Sequence, residues 1–326
     1  MFTSSVFGYI SSAVRRVAQI GEKQGTGGVD KSVHSTEFAA LDVNRPLAMM
    51  HVPKSAGTSV STWIEQTLNP AVSVRGFDRA HFAPFHDFSS VDPQILALIH
   101  LDIKLMPEDA DLVMGHFSRS TLVARYPEAQ LITFLRAPVS RLLSLWVYWR
   151  CVSDDTLARW GALKERVLLS HGSLKDFLKN PLIASQTDNV VTRMLLEPHA
   201  LINCADFIGG ADDGSLISEA IGCLKRFSYL DVIENPSFTE ELGKWLHSES
   251  EPTRLNETER VPASLRVQLE RELDDETLAL LDERCRLDDK LWTWLARERM
   301  PGTNVDEVLT RAICRSIARC SALLAP

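Results

Sequence analysis

Apolar positions along the chain come in two kinds of run, and the kinds alternate. Leu47 to Val52 is an apolar stretch short enough for a buried strand, broken at Pro53. Lys54, Ser55, Ala56, Gly57, Thr58 and Ser59 follow, all small except the lysine. From Val60 the period becomes helical, with Val60, Trp63, Ile64 and Thr67 on one face. Asp111 to Gly115 and Leu131 to Leu135 read as two more buried strands. The second runs through Arg136 into Pro138, a residue suited to the first turn of a helix, and Val139, Leu142, Leu143, Trp146 and Val147 then form a core face.

Downstream, Ser173 caps a helix through Leu178, and Gln186 to Leu196 reads as another helix. Phe227 to Ile233 reads as a late strand, followed by helices over Pro236 to His247, Ser264 to Leu281 and Asp288 to Arg297. Val305 to Leu324 is amphipathic and reads as a packing or partner helix. Gly21 to Ser35 has the composition of a linker, Leu255 to Pro262 that of a polar loop, and the Pro, Asp, Ser and Gly content of Asn69 to Asp92 predicts a loop as well. Alternating strands and helices predict an α/β chain with a mainly parallel central sheet. The expected division is an N-terminal extension over residues 1–40, one domain over 41–300 and a helical tail over 301–326.

A strand, a tight loop of small residues and a helix start form an anion site. Backbone N–H groups can close on a phosphate-like group, the helix N-terminus adds partial positive charge, and Lys54 adds a full one. The spacing GxxxxGK[ST] is absent, because the lysine precedes the glycine. A second anion site is predicted at Arg136. It sits at a strand's C-terminal end, where open α/β sheets bind ligands, and its guanidinium can grip a phosphate with two bonds. Ser144 follows on the same helix face as Arg141 and Tyr148.

The loop HVPKSAGTS resembles the 5′-phosphosulfate loop of carbohydrate sulfotransferases, which reads close to HIPKTGGTS. Arg136, Pro138 and Ser144 resemble the 3′-phosphate motif of the same enzymes, an Arg-Asp-Pro followed by a serine. Ala137 departs from it, standing where the family often has Asp or Asn. On these motifs the chain is similar to heparan sulfate 2-O-sulfotransferase-like enzymes. Looser similarity extends over Arg45 to Ala296, through QTDNVVTRML, FSYLDVIENPSFTEEL, LNET and LALLDERCRLDDKLWTWL.

The resemblance implies a P-loop NTPase-like three-layer fold and a 3′-phosphoadenosine 5′-phosphosulfate (PAPS) donor. The expected reaction moves a sulfuryl group, without a metal, to a hydroxyl on a sugar or other small acceptor. It assigns the phosphosulfate to Lys54, Ser55, Ala56, Gly57, Thr58 and Ser59, the 3′-phosphate to Arg136 and Ser144, and leaving-group stabilisation to Lys54. The Gly115-His116 pair implies that His116 is the base, and a histidine near neutrality suits that task. Arg193 is an expected acceptor or cofactor contact, with a surface salt bridge as its ordinary role. His81, in the 69–92 loop, is expected to border the acceptor. His51 reads as structural. His81 and His86 also weigh as metal ligands, but no carboxylate or cysteine partner stands at helical spacing.

Charge and composition narrow the alternatives. A formal net charge of −8 over 326 residues is a poor basis for nucleic-acid binding. Within the chain, Gly115 to Arg150 holds five arginines against Glu128, a basic centre suited to an anionic cofactor. The segment from Asp231 to Arg260 is acidic and argues against a very highly sulfated acceptor. The six scattered cysteines form no CxxC pair and read as reduced thiols. No apolar run reaches the roughly 18 residues that cross a membrane. Arg15 and Arg16 interrupt the weakly apolar start where a signal peptide would place charge first. A cytoplasmic, bacterial-type enzyme is expected. Two rivals remain: a small-molecule kinase or other phosphate-handling P-loop-like enzyme, and a nucleotide-binding module without catalysis.

Overall fold

Six strands form one sheet in the computed structural model, which describes residues 38–55, 57–248, 250–253 and 259–325. The weakly apolar start, most of the extension and linker, Ala56 and LNET lie outside the described residues. The strands are β1 (Leu47–Met50), β2 (Ser73–Asp78), β3 (Ile99–His100), β4 (Leu112–His116), β5 (Gln130–Leu135) and β6 (Tyr229–Val232). They lie in the order β3-β2-β4-β1-β5-β6, and every pairing is parallel. The helices that matter here are α1 (Gly57–Leu68), α2 (Arg119–Arg125), α3 (Pro138–Arg150), α4 (Val190–Leu196), α5 (Asp213–Leu224), α6 (Phe238–Leu246), α7 (Asp275–Arg299) and α8 (Val305–Leu324).

Period-two alternation along the strands creates two cores. Leu47, Met49, Leu112, Met114, Ile132 and Phe134 pack with Val60, Trp63 and Ile64 of α1 and Leu242 and Trp245 of α6. Ala48, Met50, Val113, Leu131 and Leu135 belong to the other core, with α3, α4, α5, α7 and α8. The result is a three-layer α/β fold. Burial on both sides is why the central strands read as nearly continuous apolar runs.

α8 is a full member of this core. Leu309, Ile313, Ile317 and Leu324 are all buried in it, and each such side chain contributes about 1.5–3 kcal/mol.

Several boundaries differ from expectation. Asn69 to Asp92 contains β2 and a 3-10 turn, Arg79–Phe82. β2 was hidden because SVRGFD buries only Val74 and Asp78 and carries Arg75 and Gly76. The helix expected over Gln186 to Leu196 is broken at Asn189, whose φ of 45° is left-handed and starts α4 afresh. The two late helices are differently divided: Leu269–Glu272 is a single turn, and α7 runs unbroken after its cap Asp274.

Gly115 is required by close approach. It faces Gly76 across the β2–β4 pairing. A Cβ there would lie 2.2 Å from the Gly76 carbonyl oxygen and 2.6 Å from the Phe117 ring. Gly115→Ala should therefore destabilise the fold by about 1–3 kcal/mol, measured as a lower urea midpoint at unchanged m-value. An unchanged midpoint would show that β2 yields at no cost.

Candidate active site

Because the sheet is parallel, the C-terminal ends of its strands share one edge. The chain leaves central β1 toward β2 on one side and reaches β5 on the other, so β1 lies at the switch point, where such sheets bind ligands. Lys54 follows β1, His116 ends β4, Arg136 follows β5 and Glu234 follows β6.

The turn after β1 is closed by the Ser55 N–H, which donates to the Val52 carbonyl at 3.2 Å. Pro53 and Lys54 are its corner. Lys54 has φ 66°, in the position where a type II turn normally takes glycine. An L-residue in this region costs roughly 1–2 kcal/mol. The turn conformation sets the direction of the side chain, whose Nζ lies 3.7 Å from the centre of the Tyr148 ring. Burial, then the charges of Arg136 and Arg319, push its pKa down to about 8. The Ser55 hydroxyl is buried and has no hydrogen-bond partner among the described residues. No acidic residue occupies the first turn of α1, so the partial charge of its N-terminus stays available.

Arg136 is half-buried. Nη1 donates to the Lys54 carbonyl at 2.9 Å, and Nη2 donates to the Ser316 hydroxyl at 3.1 Å. One arginine thus ties the β5 edge to the lysine turn and to α8. Ser144 stands half-buried on α3.

Ala137 caps α3 without a side-chain bond. A distant carboxylate supplies what the position lacks. Glu234 Oε1 accepts the Ala137 N–H at 3.0 Å, and its Oε2 accepts from the Trp292 indole at 3.0 Å. In a capping box a glutamate bonds the same cap N–H from within its own helix; here it comes from the β6 loop. Its charge also supports the Arg136 cation against burial. The sequence showed the departure at Ala137 but gave no local signal for its partner.

His116 meets His51, His81 and Phe77. Its ring stacks on His81 with centroids 4.8 Å apart and planes 10° apart, and lies 4.5 Å from His51 and 5.3 Å from Phe77. Nδ1 donates to the His51 carbonyl at 2.7 Å. A carbonyl only accepts, so the proton sits on Nδ1 and the Nε2 lone pair is left for another proton. Burial lowers the His116 pKa to about 4, although this carbonyl and Asp78 act in the opposite sense. His51 and His81 are also held well below 6.5, mainly by burial.

No sequence pattern marks Asp78 as a site residue. It accepts the Ser118 N–H at 2.6 Å, the Ser118 hydroxyl at 2.7 Å and the His81 N–H at 3.1 Å. It thereby joins the ends of β2 and β4 and sets the histidine stack.

Lys54, Ser55, Arg136 and His116 thus share the strand-end edge, and His81 stacks on His116. Gly57, Thr58 and Ser59 form the first turn of α1. Arg193 is placed differently. It is 1% exposed, pairs with Asp188 at 2.7 Å and donates to the Asn203 and Asp206 carbonyls. Its guanidinium is committed to the interior of the fold rather than to a surface salt bridge. His86 lies by Arg79, and among the described residues no group of three or more His, Cys, Asp or Glu could hold a metal ion. No helix among them is long and apolar enough to cross a membrane. A scan against protein-family models and a search of curated proteins each return no match for this chain.

Proposed function

We propose that the protein is a PAPS-dependent sulfotransferase acting on a hydroxyl of a sugar or similar small acceptor. The observation that carries this reading is the meeting, at one sheet edge, of two motif cations with a histidine whose tautomer leaves Nε2 free. The residues fit an anionic donor: the charges of Arg136 and Arg319 act on Lys54, and that of Arg319 on Arg136, Ser55 offers an unpartnered buried hydroxyl, and the α1 N-terminus carries no acidic residue.

Bound PAPS supplies the sulfuryl group and an adenosine bisphosphate leaving group. Ser55 and the first turn of α1 hold the phosphosulfate. Arg136 and Ser144 hold the 3′-phosphate. Lys54 stabilises charge at the leaving oxygen, where it grows most in the transition state. His116 Nε2 takes the proton of the acceptor hydroxyl, and Nδ1–H keeps its bond to the His51 carbonyl. The rings of Phe77 and His81 beside His116 offer a wall for the face of a sugar. A cytoplasmic location belongs to the same reading, in keeping with six free cysteines.

The test is calorimetric titration with 3′-phosphoadenosine 5′-phosphate (PAP), without Mg²⁺, against ATP. The expected result is PAP binding at roughly micromolar Kd, weaker ATP binding, and a loss of about 2 kcal/mol or more in Arg136→Ala, since a charged hydrogen-bonding group is removed. Absence of PAP binding, or Mg²⁺-dependent ATP binding in its place, would sink the proposal and favour a kinase.

A further inference from the structure

α8 turns a polar face toward the donor side of the site. Its buried positions Leu309, Ile313, Ile317 and Leu324 fix the rotation of the helix. That rotation brings Ser316, 7% exposed, onto Arg136, whose Nη2 donates to its hydroxyl at 3.1 Å. A hydroxyl that accepts one bond still has its own proton to donate. Cys320, one turn further, is buried on the same face. Arg319 lies beside it, three residues from Ser316, and is exposed. The Arg319 side chain has no hydrogen bond or ion pair among the described residues, yet its charge is felt at both Lys54 and Arg136.

Glu234 is the carboxylate that supports Arg136 in this group, and both its oxygens are already engaged by Ala137 and Trp292. Three cations against one carboxylate still raise one another's energy, and an anion placed among them removes that cost.

We infer that α8 is part of the donor-binding wall, and that the Ser316 hydroxyl and the Arg319 guanidinium join Arg136 around the 3′-phosphate of an adenosine 3′,5′-bisphosphate ligand. This rests on the sulfotransferase reading above. It adds two ligand contacts from a helix that carries neither motif, and it makes the C-terminal helix a determinant of preference for a 3′-phosphorylated nucleotide.

The experiment titrates wild type, Arg319→Gln, Arg319→Lys and Ser316→Ala with PAP and with adenosine 5′-phosphate, which lacks the 3′-phosphate. Arg319→Gln should weaken PAP binding about tenfold or more and change adenosine 5′-phosphate binding less than about twofold, at an unchanged melting temperature. Arg319→Lys should recover most of the PAP affinity, and Ser316→Ala should lose a few-fold. Wild-type PAP binding with no change in Arg319→Gln overturns the role of α8 and leaves the donor assignment standing. Equal losses for both nucleotides overturn the 3′-phosphate contact. No PAP binding by the wild type overturns the donor reading and this inference together. Loss of folding in both Arg319 variants would make the residue structural and overturn the inference.

Discussion

His116→Ala should lower the rate of sulfuryl transfer by about 10²–10⁴-fold, the range expected for removal of a general base, and should leave PAP affinity within about twofold. The separation follows from geometry. The donor contacts come from the loop after β1, the start of α1, the end of β5 and the helices α3 and α8, whereas His116 stands at the end of β4 on the side of β2. The pH profile carries a second expectation. With its pKa near 4, His116 is already unprotonated throughout the neutral range. The acid limb of kcat/KM due to this group should then fall toward pH 4 rather than near 6.5, because kcat/KM reports the free enzyme. Linkage gives the matching stability effect. Between about pH 6.5 and 4 the unfolded histidine binds a proton and the folded one does not, so stability drops as pH falls through that window. His51 and His81 act in the same sense. Full activity in His116→Ala would remove the base assignment and turn attention to His81, stacked against it.

The layers and both motif strands were legible because buried parallel strands are apolar throughout, and because Pro138 marks a helix start without ambiguity. β2 was not legible: it buries few of its positions, and its glycine, at φ 141°, admits the Leu98 backbone, whose carbonyl oxygen would lie 2.1 Å from a Cβ there, rather than serving a turn. Lys54, Arg136 and His116 could be read as candidates since each follows or ends a readable strand. Glu234 and Ser316 could not. Each reaches the site from 97 and 180 residues away, respectively, in hydrogen bonds to Ala137 and Arg136. A local pattern shows that the α3 cap is missing; only the fold shows which side chain replaces it. Arg193 marks the opposite limit, because a motif-like arginine looks the same in sequence whether it faces a ligand or is buried against Asp188.

Lys54→Gly should separate what this residue costs the fold from what it contributes to the chemistry. Glycine accepts φ 66° without strain, and its removal of a half-buried ammonium also relieves repulsion from Arg136 and Arg319. Against this stands the greater entropy of an unfolded glycine. The variant should therefore be as stable as the wild type or more stable, by up to about 1 kcal/mol. Its transfer rate should nonetheless fall by about 10²–10³-fold, the usual effect of removing one group that stabilises transition-state charge. The same lysine makes ligand binding pH-dependent. Its free pKa is near 8 against an ordinary 10.5, lowered by burial and the two arginines, with the thiols of Cys151 and Cys320 acting weakly the other way. A bound anion favours the ammonium and moves the pKa back up. PAP affinity should then decline as pH rises above about 8, approaching a decade per pH unit, and binding should take up a proton. The proton is counted from the dependence of the binding heat on the buffer. In Lys54→Gly that uptake should vanish. PAP affinity that stays flat from about pH 7 to 9.5 in the wild type would show that the ammonium does not face the bound anion.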